Sequence, residues 1–124
     1  MTIAEVSRAY DISADTLRYY ERVGLLPSIG RTSGGIRNYS EEDCRWVEYI
    51  KCMRSAGVSV ETLVEYVALF YQGNETIQAR KNLLLEQRAQ IAARNDGLQA
   101  VLARLGWELD GYEERMVKCE ENLR

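Results

Sequence analysis

Polar and hydrophobic positions divide the chain into several short segments followed by one long repeating segment. At the start, Thr2 and Glu5 form a capping-box pattern, which predicts a helix from residue 3 onward. Ser13 is a second N-cap candidate, and Gly24 is placed to end the helix that follows, from residue 14 to about residue 23. Two short helices joined by a tight turn form a helix-turn-helix pattern, which by itself is common.

The segment between residues 26 and 39 is rich in turn-forming residues. It contains the chain's only proline and the adjacent pair Gly34 and Gly35, with short β-like runs on either side. This pattern predicts a small two-stranded β-hairpin, a wing. After it, serine caps at Ser40 and Ser59 predict a third and a fourth helix.

From Glu75 onward, apolar residues recur every seven positions, a spacing typical of a helix that pairs with another helix. These positions are Ile77, Leu84, Ile91, Leu98, Leu105, Tyr112 and Cys119. We predict one uninterrupted helix from residue 75 to the C-terminus. A lone helix with such a narrow apolar stripe is not stable as a monomer, so we expect it to pair. The alternative is an intramolecular hairpin that turns at Gly97 or Gly106.

Composition narrows the functional classes. The chain has 124 residues, of which 46% are hydrophobic and 28% are charged, and it contains no histidine. The length fits one small domain, or a small domain with one long element. The absence of histidine removes the commonest general base and the commonest zinc ligand. We therefore expect a chain that is not an enzyme and that holds no metal or other cofactor.

Three further features predict the compartment. No run of residues is apolar and long enough to span a bilayer, and the first five residues do not resemble a signal peptide. The cysteines Cys44, Cys52 and Cys119 are too irregularly spaced for a closed disulfide framework, which is typical of a reducing compartment. We expect a cytoplasmic protein with no membrane partner.

Positive charge is concentrated locally, although the formal net charge of the chain is −3. Residues 14–37 contain two acidic residues and four arginines, Arg18, Arg22, Arg31 and Arg37. Phosphate binding requires such a local cationic strip, whatever the charge of the whole chain. Arg18, on the second predicted helix, is placed to enter a major groove. The donors to phosphates on either side of it are Tyr19, Tyr20, Arg31, Arg37 and Tyr39.

One long ordered motif runs from the second predicted helix into the wing. It consists of Arg18–Leu26 (RYYERVGLL), Arg31 and Gly35–Tyr39 (GIRNY). This motif resembles the signature of MerR-family transcriptional regulators, and the resemblance continues through essentially the whole chain.

The resemblance implies a mainly α fold in two parts. Residues 1–73 would form a winged helix-turn-helix DNA-binding domain with a small β-hairpin wing, and residues 74–124 a dimerisation helix in an antiparallel coiled coil. It also implies a homodimer on pseudo-palindromic, double-stranded promoter DNA, which activates transcription by distorting the promoter and so reaches RNA polymerase indirectly. An antiparallel seam would centre near Leu98, with Cys119 level with Ile77 of the other copy.

The resemblance and the local charge together give a set of expected DNA-binding residues. They are Thr16, Arg18, Tyr19, Tyr20, Arg31, Gly35, Arg37, Tyr39 and Arg54. We expect one of Tyr19 and Tyr20 to pack partly inward and the other to face phosphate. Gly35 would let the wing backbone lie close to DNA, and Glu21 is expected to pair with an arginine of the wing or of a helix.

The inducer is predicted from the cysteines. Their arrangement does not match the metal-sensing or iron–sulfur members of the family, and the added effector domain of multidrug-sensing members is not expected here. The stretch Lys51–Gly57 resembles the NmlR/AdhR subgroup, whose members respond to aldehydes and other electrophiles through one cysteine of the third helix. Cys52 matches that position, and the neighbouring cations Lys51 and Arg54 would favour the reactive thiolate.

We expect an adduct on Cys52 to disturb a close-packed junction and so to change promoter geometry. Alternatives remain open. In the first alternative, Cys52 is purely structural, a small buried apolar residue, and the regulator has another inducer. In the second alternative, the chain is a coiled-coil interaction adaptor. In the third, it is a thiol-dependent aldehyde scavenger, which would need a base near Cys52. No role follows for Cys44 or Cys119.

Overall fold

The computed structural model describes residues 1–123, and these residues are mainly helical, as predicted. Two compact units are present, Met1–Gln87 and a second that begins at Arg88. The helices are α1 (Ile3–Tyr10), α2 (Ala14–Arg22), α3 (Glu41–Ser55), α4 (Val60–Gln72), a 3-10 turn (Asn74–Thr76), α5 (Ile77–Leu109) and α6 (Tyr112–Leu123).

The four predicted N-caps of the first unit are all present. The Thr2 hydroxyl accepts from the Glu5 amide at 3.2 Å while the Glu5 carboxylate accepts from the Thr2 amide at 2.9 Å, which is a complete capping box. Ser40 forms the same box at the start of α3, and Ser13 and Ser59 each accept one amide hydrogen bond. Because each cap satisfies amides that a helix leaves unpaired, these short helices begin where the sequence predicts.

The core of the first unit is made by α1 to α4 and the segment between α2 and α3. Val6, Leu17, Leu25, Val47 and Ile50 are fully buried there. Burying an aliphatic side chain of this size contributes about 1.5–3 kcal/mol. This core therefore holds α2 and the following loop in a fixed arrangement.

The loop after α2 is less regular than the predicted two-stranded hairpin. Among the described residues, its β-structure is one antiparallel bridge between Arg31 and Arg37. The Thr32 amide donates to the Ile36 carbonyl at 2.8 Å, and the Gly35 amide donates back to the Thr32 carbonyl at 2.9 Å. Gly35 has a φ of +80°, which favours glycine. We call this segment, Gly30–Asn38, the wing loop.

A corner connects α4 to α5 within the first unit. The Thr76 hydroxyl donates to the Leu69 carbonyl at 2.6 Å, near the end of α4. Arg80 donates from Nε to the Thr76 hydroxyl at 3.0 Å, and its guanidinium lies over the Phe70 ring at 5.3 Å. These contacts occupy a carbonyl that the end of α4 would otherwise leave unpaired.

The prediction of one helix from residue 75 to the C-terminus is wrong in its last part. Helix α5 passes through Gly97 and Gly106 without a turn, but it ends at Leu109, and Gly111 has a φ of +70°. The Arg115 guanidinium reaches back to the carbonyls of Trp107 and Asp110 at 3.3 and 2.8 Å. The last two heptad positions therefore lie on a separate helix, α6, while the position of the seam between two copies stays a prediction.

Helix α5 leaves most of its apolar residues exposed. The exposed residues of the heptad series on α5 are Ile77, Leu84, Leu98 and Leu105. None of the α5 residues is buried in the single chain. Among the described residues, no helix combines the length and the low charge that crossing a membrane requires.

Candidate nucleic-acid interface

Helix α2 presents two exposed, polar residue pairs. Arg18 donates from Nη1 to the Asp15 carboxylate at 2.9 Å, one turn earlier on the helix. The guanidinium of Arg22 lies 5.4 Å from the centre of the Tyr19 ring. Exposed ion pairs of this kind contribute little to stability, so Arg18 can exchange its partner for a DNA group at small cost.

The wing loop is fastened to α2 by Glu21. Its carboxylate accepts from Arg37 Nε at 2.9 Å and from the Ile29 amide at 3.4 Å. The expected role of Glu21, as the ion-pair partner of a wing arginine, is confirmed. Since Glu21 and Arg37 are both mostly buried, the pair orients the wing loop relative to α2 more firmly than an exposed pair would.

The tip of the wing loop is exposed, and it includes the cationic residue Arg31. Arg31 donates from Nη1 to the Gly35 carbonyl at 3.1 Å, so its side chain lies along the loop. Ile36, between the bridged arginines, is exposed despite being a large aliphatic residue. The carboxylate of Glu21 offsets the charge of Arg37, whereas Arg31 and Arg18 remain on the surface.

The three tyrosines of the predicted site divide by burial. Tyr19 is 38% exposed, whereas Tyr20 is 9% exposed, so one ring of the pair faces outward and the other packs inward, as expected. Tyr39 is buried, and its hydroxyl has no hydrogen-bond partner among the described residues. Burial also raises the pKa of Tyr39. We therefore assign Tyr39 to the core of the free chain, beneath the surface, and not to a direct phosphate contact.

The remaining expected DNA-binding residues lie at helix ends. Thr16, in the first turn of α2, is half-buried, and its hydroxyl accepts from Ser13 at 2.8 Å. Arg54 lies at the end of α3 and donates to the Val58 carbonyl at 2.8 Å, across the turn into α4. Arg54 therefore has a structural partner of its own, which the sequence did not indicate.

The three cysteines differ in environment. Cys52 is exposed on α3 and Cys119 is exposed on α6, whereas Cys44 is buried with its sulfur 3.9 Å from the Met1 sulfur. The close-packed junction expected around Cys52 is absent from the single chain. Its cationic neighbours are engaged elsewhere, because the Lys51 ammonium donates to the Tyr10 carbonyl and Arg54 donates to Val58.

A group of aromatic rings was not identified from the sequence as a feature. Trp46, Tyr49, Tyr66 and Phe70 line one cleft between α3 and α4. Residues three or four positions apart share a face of a helix, but this spacing gives no sign that the rings remain partly exposed. No cluster of three or more metal-ligating side chains occurs within residues 1–123.

The geometry can bind a polyanion. Two cationic side chains, Arg18 and Arg31, lie on α2 and on the wing loop, and the Glu21–Arg37 pair fixes these two elements to each other. A helix with exposed donors beside an extended loop is the arrangement that winged helix-turn-helix proteins use on duplex DNA.

Comparison with known proteins identifies related transcriptional regulators. The chain is 53% identical to the HTH-type transcriptional regulator AdhR of Bacillus subtilis over 91 residues, which are 73% of this chain and 65% of AdhR. It is similar to the crystal structure of a MerR-family transcriptional regulator from Listeria monocytogenes, with 42% identity and a TM-score of 0.87 over 99% of this chain and 93% of that one.

A third relative is HiNmlR, a MerR-family regulator lacking the sensor domain, whose crystal structure is bound to promoter DNA. It is 28% identical, with a TM-score of 0.85, and the match covers 94% of this chain and 92% of HiNmlR. AdhR and HiNmlR agree with the NmlR/AdhR resemblance, and both are regulators and not enzymes. Residues 1–69, more than half of the chain, match the family described as MerR HTH family regulatory protein, and the chain therefore belongs to the MerR family of helix-turn-helix transcriptional regulators.

Proposed function

We propose that this chain binds pseudo-palindromic promoter DNA as a homodimer and regulates transcription in response to an electrophile. The observation that carries the DNA-binding part is the Glu21–Arg37 pair, which fixes the wing loop to α2 and leaves Arg18 and Arg31 on the surface. HiNmlR is bound to promoter DNA in its crystal structure, which supports the same activity for this chain.

The homodimer is supported by the exposed apolar residues of α5. A stripe of exposed leucines and a valine is costly in water and is typical of a surface that another protein covers. An antiparallel pair of α5 helices would centre at Ala93, midway between Ile77 and Leu109. Residues 1–73 would then form the DNA-binding domain, and residues from 74 onward the dimerisation segment.

DNA binding is tested by fluorescence anisotropy on a duplex that carries whichever inverted repeat the promoter beside the gene contains. Arg18→Ala should reduce the preference for this repeat over a scrambled duplex, because Arg18 is placed to contact base edges. Arg31→Ala should weaken binding to both duplexes alike, because a phosphate contact carries no sequence information. Arg104→Ala, an exposed arginine of α5 paired with Glu108, is the matched control. Equal behaviour of all three variants would contradict the assignment.

Salt dependence gives a second test of the same proposal. A dimer that contacts several phosphates in each half-site should lose roughly 10³-fold in affinity, or more, between 50 and 200 mM salt. Arg31→Ala should lower the slope of log affinity against log salt, whereas Arg104→Ala should leave it unchanged. Binding that does not respond to salt would argue against a phosphate-contacting interface.

Cys52 is proposed as the sensor because it occupies the third-helix position that the NmlR/AdhR resemblance indicates, and its thiol is exposed. Addition of the thiol across an aldehyde carbonyl forms a carbon–sulfur bond and moves the thiol proton to the carbonyl oxygen, so that no oxidant is required. The adduct would lie beside the Lys51 contact that ties α3 to Tyr10 at the end of α1, and beside the Arg54 contact to Val58. Loss of either contact would shift α3 relative to α1 or to α4.

A promoter–reporter assay under aldehyde exposure separates sensing from DNA binding. Cys52→Ser should keep dimerisation and promoter binding but lose induction, because serine is not nucleophilic enough to form the adduct. Cys119→Ser is the matched control, since it removes the other exposed thiol, and it should induce normally. Full induction in Cys52→Ser would favour the alternative in which Cys52 is structural and the inducer differs.

A further inference from the structure

Two acidic residues lie among the arginines of residues 14–37, and they differ in what they contact. Glu21 is mostly buried and holds the wing loop through Arg37 and the Ile29 amide. The side chain of Asp15 is 95% exposed, and its partner is Arg18, one turn later on α2. An exposed pair and a first-turn carboxylate each contribute little to stability. The fold therefore gives only a weak reason for a carboxylate at Asp15.

Asp15 lies on the outward face of α2. Leu17 and Tyr20 mark the buried face of this helix. At about 3.6 residues per turn, the direction opposite to these two residues falls between Asp15 and Arg22. In a helix-turn-helix protein the second helix lies in the major groove, and its N-terminal residues contact base edges. Asp15 is the second residue of α2, so it is placed to face the bases.

A carboxylate on this face is unfavourable for binding to DNA in general. The phosphates repel it, and an interface removes water from its charge. This loss of affinity applies to every sequence, unless a base offers the carboxylate a hydrogen-bond donor. Asp15 therefore lowers the affinity for duplexes that lack such a donor, which is how a residue contributes to specificity.

The donors and acceptors of the base edges select one partner for Asp15. An ionised carboxylate only accepts hydrogen bonds. In the major groove, guanine and thymine present acceptors, whereas cytosine presents the N4 amino group and adenine the N6 amino group. The adenine donor has an acceptor on both sides, its own N7 and the O4 of the paired thymine. The cytosine donor has an acceptor on one side only, so cytosine is the base that a carboxylate favours.

The ion pair with Arg18 places a second reading group beside Asp15. Arg18 donates from Nη1 to an Asp15 oxygen at 2.9 Å. A guanidinium has five N–H donors and a carboxylate has about four acceptor sites, so this bond occupies one of each. The other donors of Arg18 suit the O6 and N7 acceptors of guanine. Because the bond fixes the two side chains relative to each other, the pair can contact two adjacent base pairs together.

We propose that Asp15 is a specificity-determining residue of the DNA interface, which selects cytosine at the base pair next to the guanine contacted by Arg18. The inference rests on the DNA-binding function proposed above. It deepens that function by naming two adjacent bases in each half-site.

The test measures binding of the full chain, by fluorescence anisotropy, to a set of duplexes derived from the promoter repeat. In each duplex one base pair of the half-site is replaced, in both halves alike, by one of the other three. The position at which Arg18→Ala loses discrimination identifies the guanine. At a neighbouring position the wild-type chain should favour cytosine by about tenfold per half-site, as one hydrogen bond from a base edge to a charged group would give.

Two variants of Asp15 separate reading from repulsion. Asp15→Ala should remove the preference for cytosine and should bind a scrambled duplex more tightly than the wild type does, because the repulsion from phosphates is lost. Asp15→Asn should shift the preference toward adenine, whose N6 and N7 suit an amide. Glu61→Ala is the matched control, since Glu61 is the exposed second residue of the serine-capped helix α4, and it should leave every preference unchanged.

The inference is overturned if the wild-type chain shows no preference for cytosine beside the guanine, or if Asp15→Ala keeps that preference. It is also overturned if Asp15→Ala weakens binding to all duplexes by one common factor, the result expected from a purely structural role in α2. A wild-type chain that binds the repeat no better than a scrambled duplex would overturn the proposed function, and this inference with it. Where the repeat is preferred, the results on Asp15 test this inference alone.

Discussion

Replacing Glu21 with alanine would isolate the contact that fixes the wing loop to α2. The substitution removes the carboxylate that accepts from Arg37 Nε at 2.9 Å and from the Ile29 amide at 3.4 Å. The side chain of Glu21 is 17% exposed and that of Arg37 is 24% exposed, so the guanidinium left behind would be only partly hydrated. The loss therefore exceeds that of an ordinary surface pair.

The expected loss of stability lies between the values for exposed and for fully buried ion pairs. Exposed pairs contribute about 0–1 kcal/mol, and removing one partner of a fully buried pair costs roughly 3–5 kcal/mol. For this mostly buried pair we expect Glu21→Ala to lower the free energy of unfolding by about 1.5–3 kcal/mol, as for a hydrogen bond to a charged group. At roughly 4 °C or more per kcal/mol for a chain of this size, the melting temperature should fall by at least about 6 °C.

Thermal unfolding followed by circular dichroism measures this change, at one fixed protein concentration because a dimer's stability depends on concentration. Asp15→Ala is the control, since it breaks the exposed Arg18–Asp15 pair, in which Arg18 is 46% and Asp15 is 95% exposed. That variant should change stability by less than about 0.5 kcal/mol. A double-mutant cycle with Arg37→Ala should give a coupling free energy of about 1 kcal/mol or more. Equal, small effects of Glu21→Ala and Asp15→Ala would refute the reasoning.

Three further predictions concern other parts of the chain. Gly111→Ala should destabilise the turn between α5 and α6 by about 1–2 kcal/mol, because Gly111 has a φ of +70°. An added Cβ would meet no atom within 4 Å, so the loss of stability would come from the backbone alone. Hydrogen exchange of the α6 amides measures this loss, and Gly97→Ala, within α5, is the control. Leu17→Ala should cost about 2–5 kcal/mol, because Leu17 is fully buried, and denaturant unfolding measures this loss. The pKa of Tyr49 is raised from 10.0 to about 12, so its contribution to stability is present below pH 10 and declines as the pH rises from 10 to 12; unfolding at several pH values should show a shallower decline for Tyr49→Phe.

Local capping signals were sufficient to predict where the first helices begin. Thr2, Ser13, Ser40 and Ser59 each accept the amide that their position in the sequence indicated. Such caps act over three or four residues, so they can be identified without knowledge of the fold. The ion pair of Glu21 could also be predicted, because a carboxylate between arginines in a cationic segment needs a partner.

The end of α5 shows where a periodic pattern is misleading. Leu109–Asp110–Gly111 contains the Asp-Gly pair that often marks a turn, but the heptad spacing continues through it to Cys119. A seven-residue period states which residues share a face only if the helix is continuous, and it carries no information about continuity. The reach of Arg115 back to Trp107 and Asp110 depends on the folded turn and could not be predicted from spacing.

Burial of single side chains was the least predictable property. Cys52 was expected in a packed junction and is exposed, and Tyr39 was expected at phosphate and is buried. Cys52 lies on a helix that was predicted correctly, so a correct secondary structure did not fix its burial. The direction of a side chain depends on how elements pack together, which neither local charge nor a motif specifies.

The contact of Glu21 with the wing loop determines whether the conformational entropy of the loop is lost on folding or on DNA binding. Fixing the backbone of one residue costs about 1–2 kcal/mol in lost conformational entropy. Glu21 holds Ile29 and Arg37 at either end of the loop, and internal hydrogen bonds such as that from Thr32 to Ile36 hold the middle, all within the folded chain without DNA. The loop therefore loses this conformational entropy when the chain folds, before DNA binds. Calorimetry of DNA binding should then show no heat-capacity change from coupled folding of the loop, whereas Glu21→Ala should introduce one.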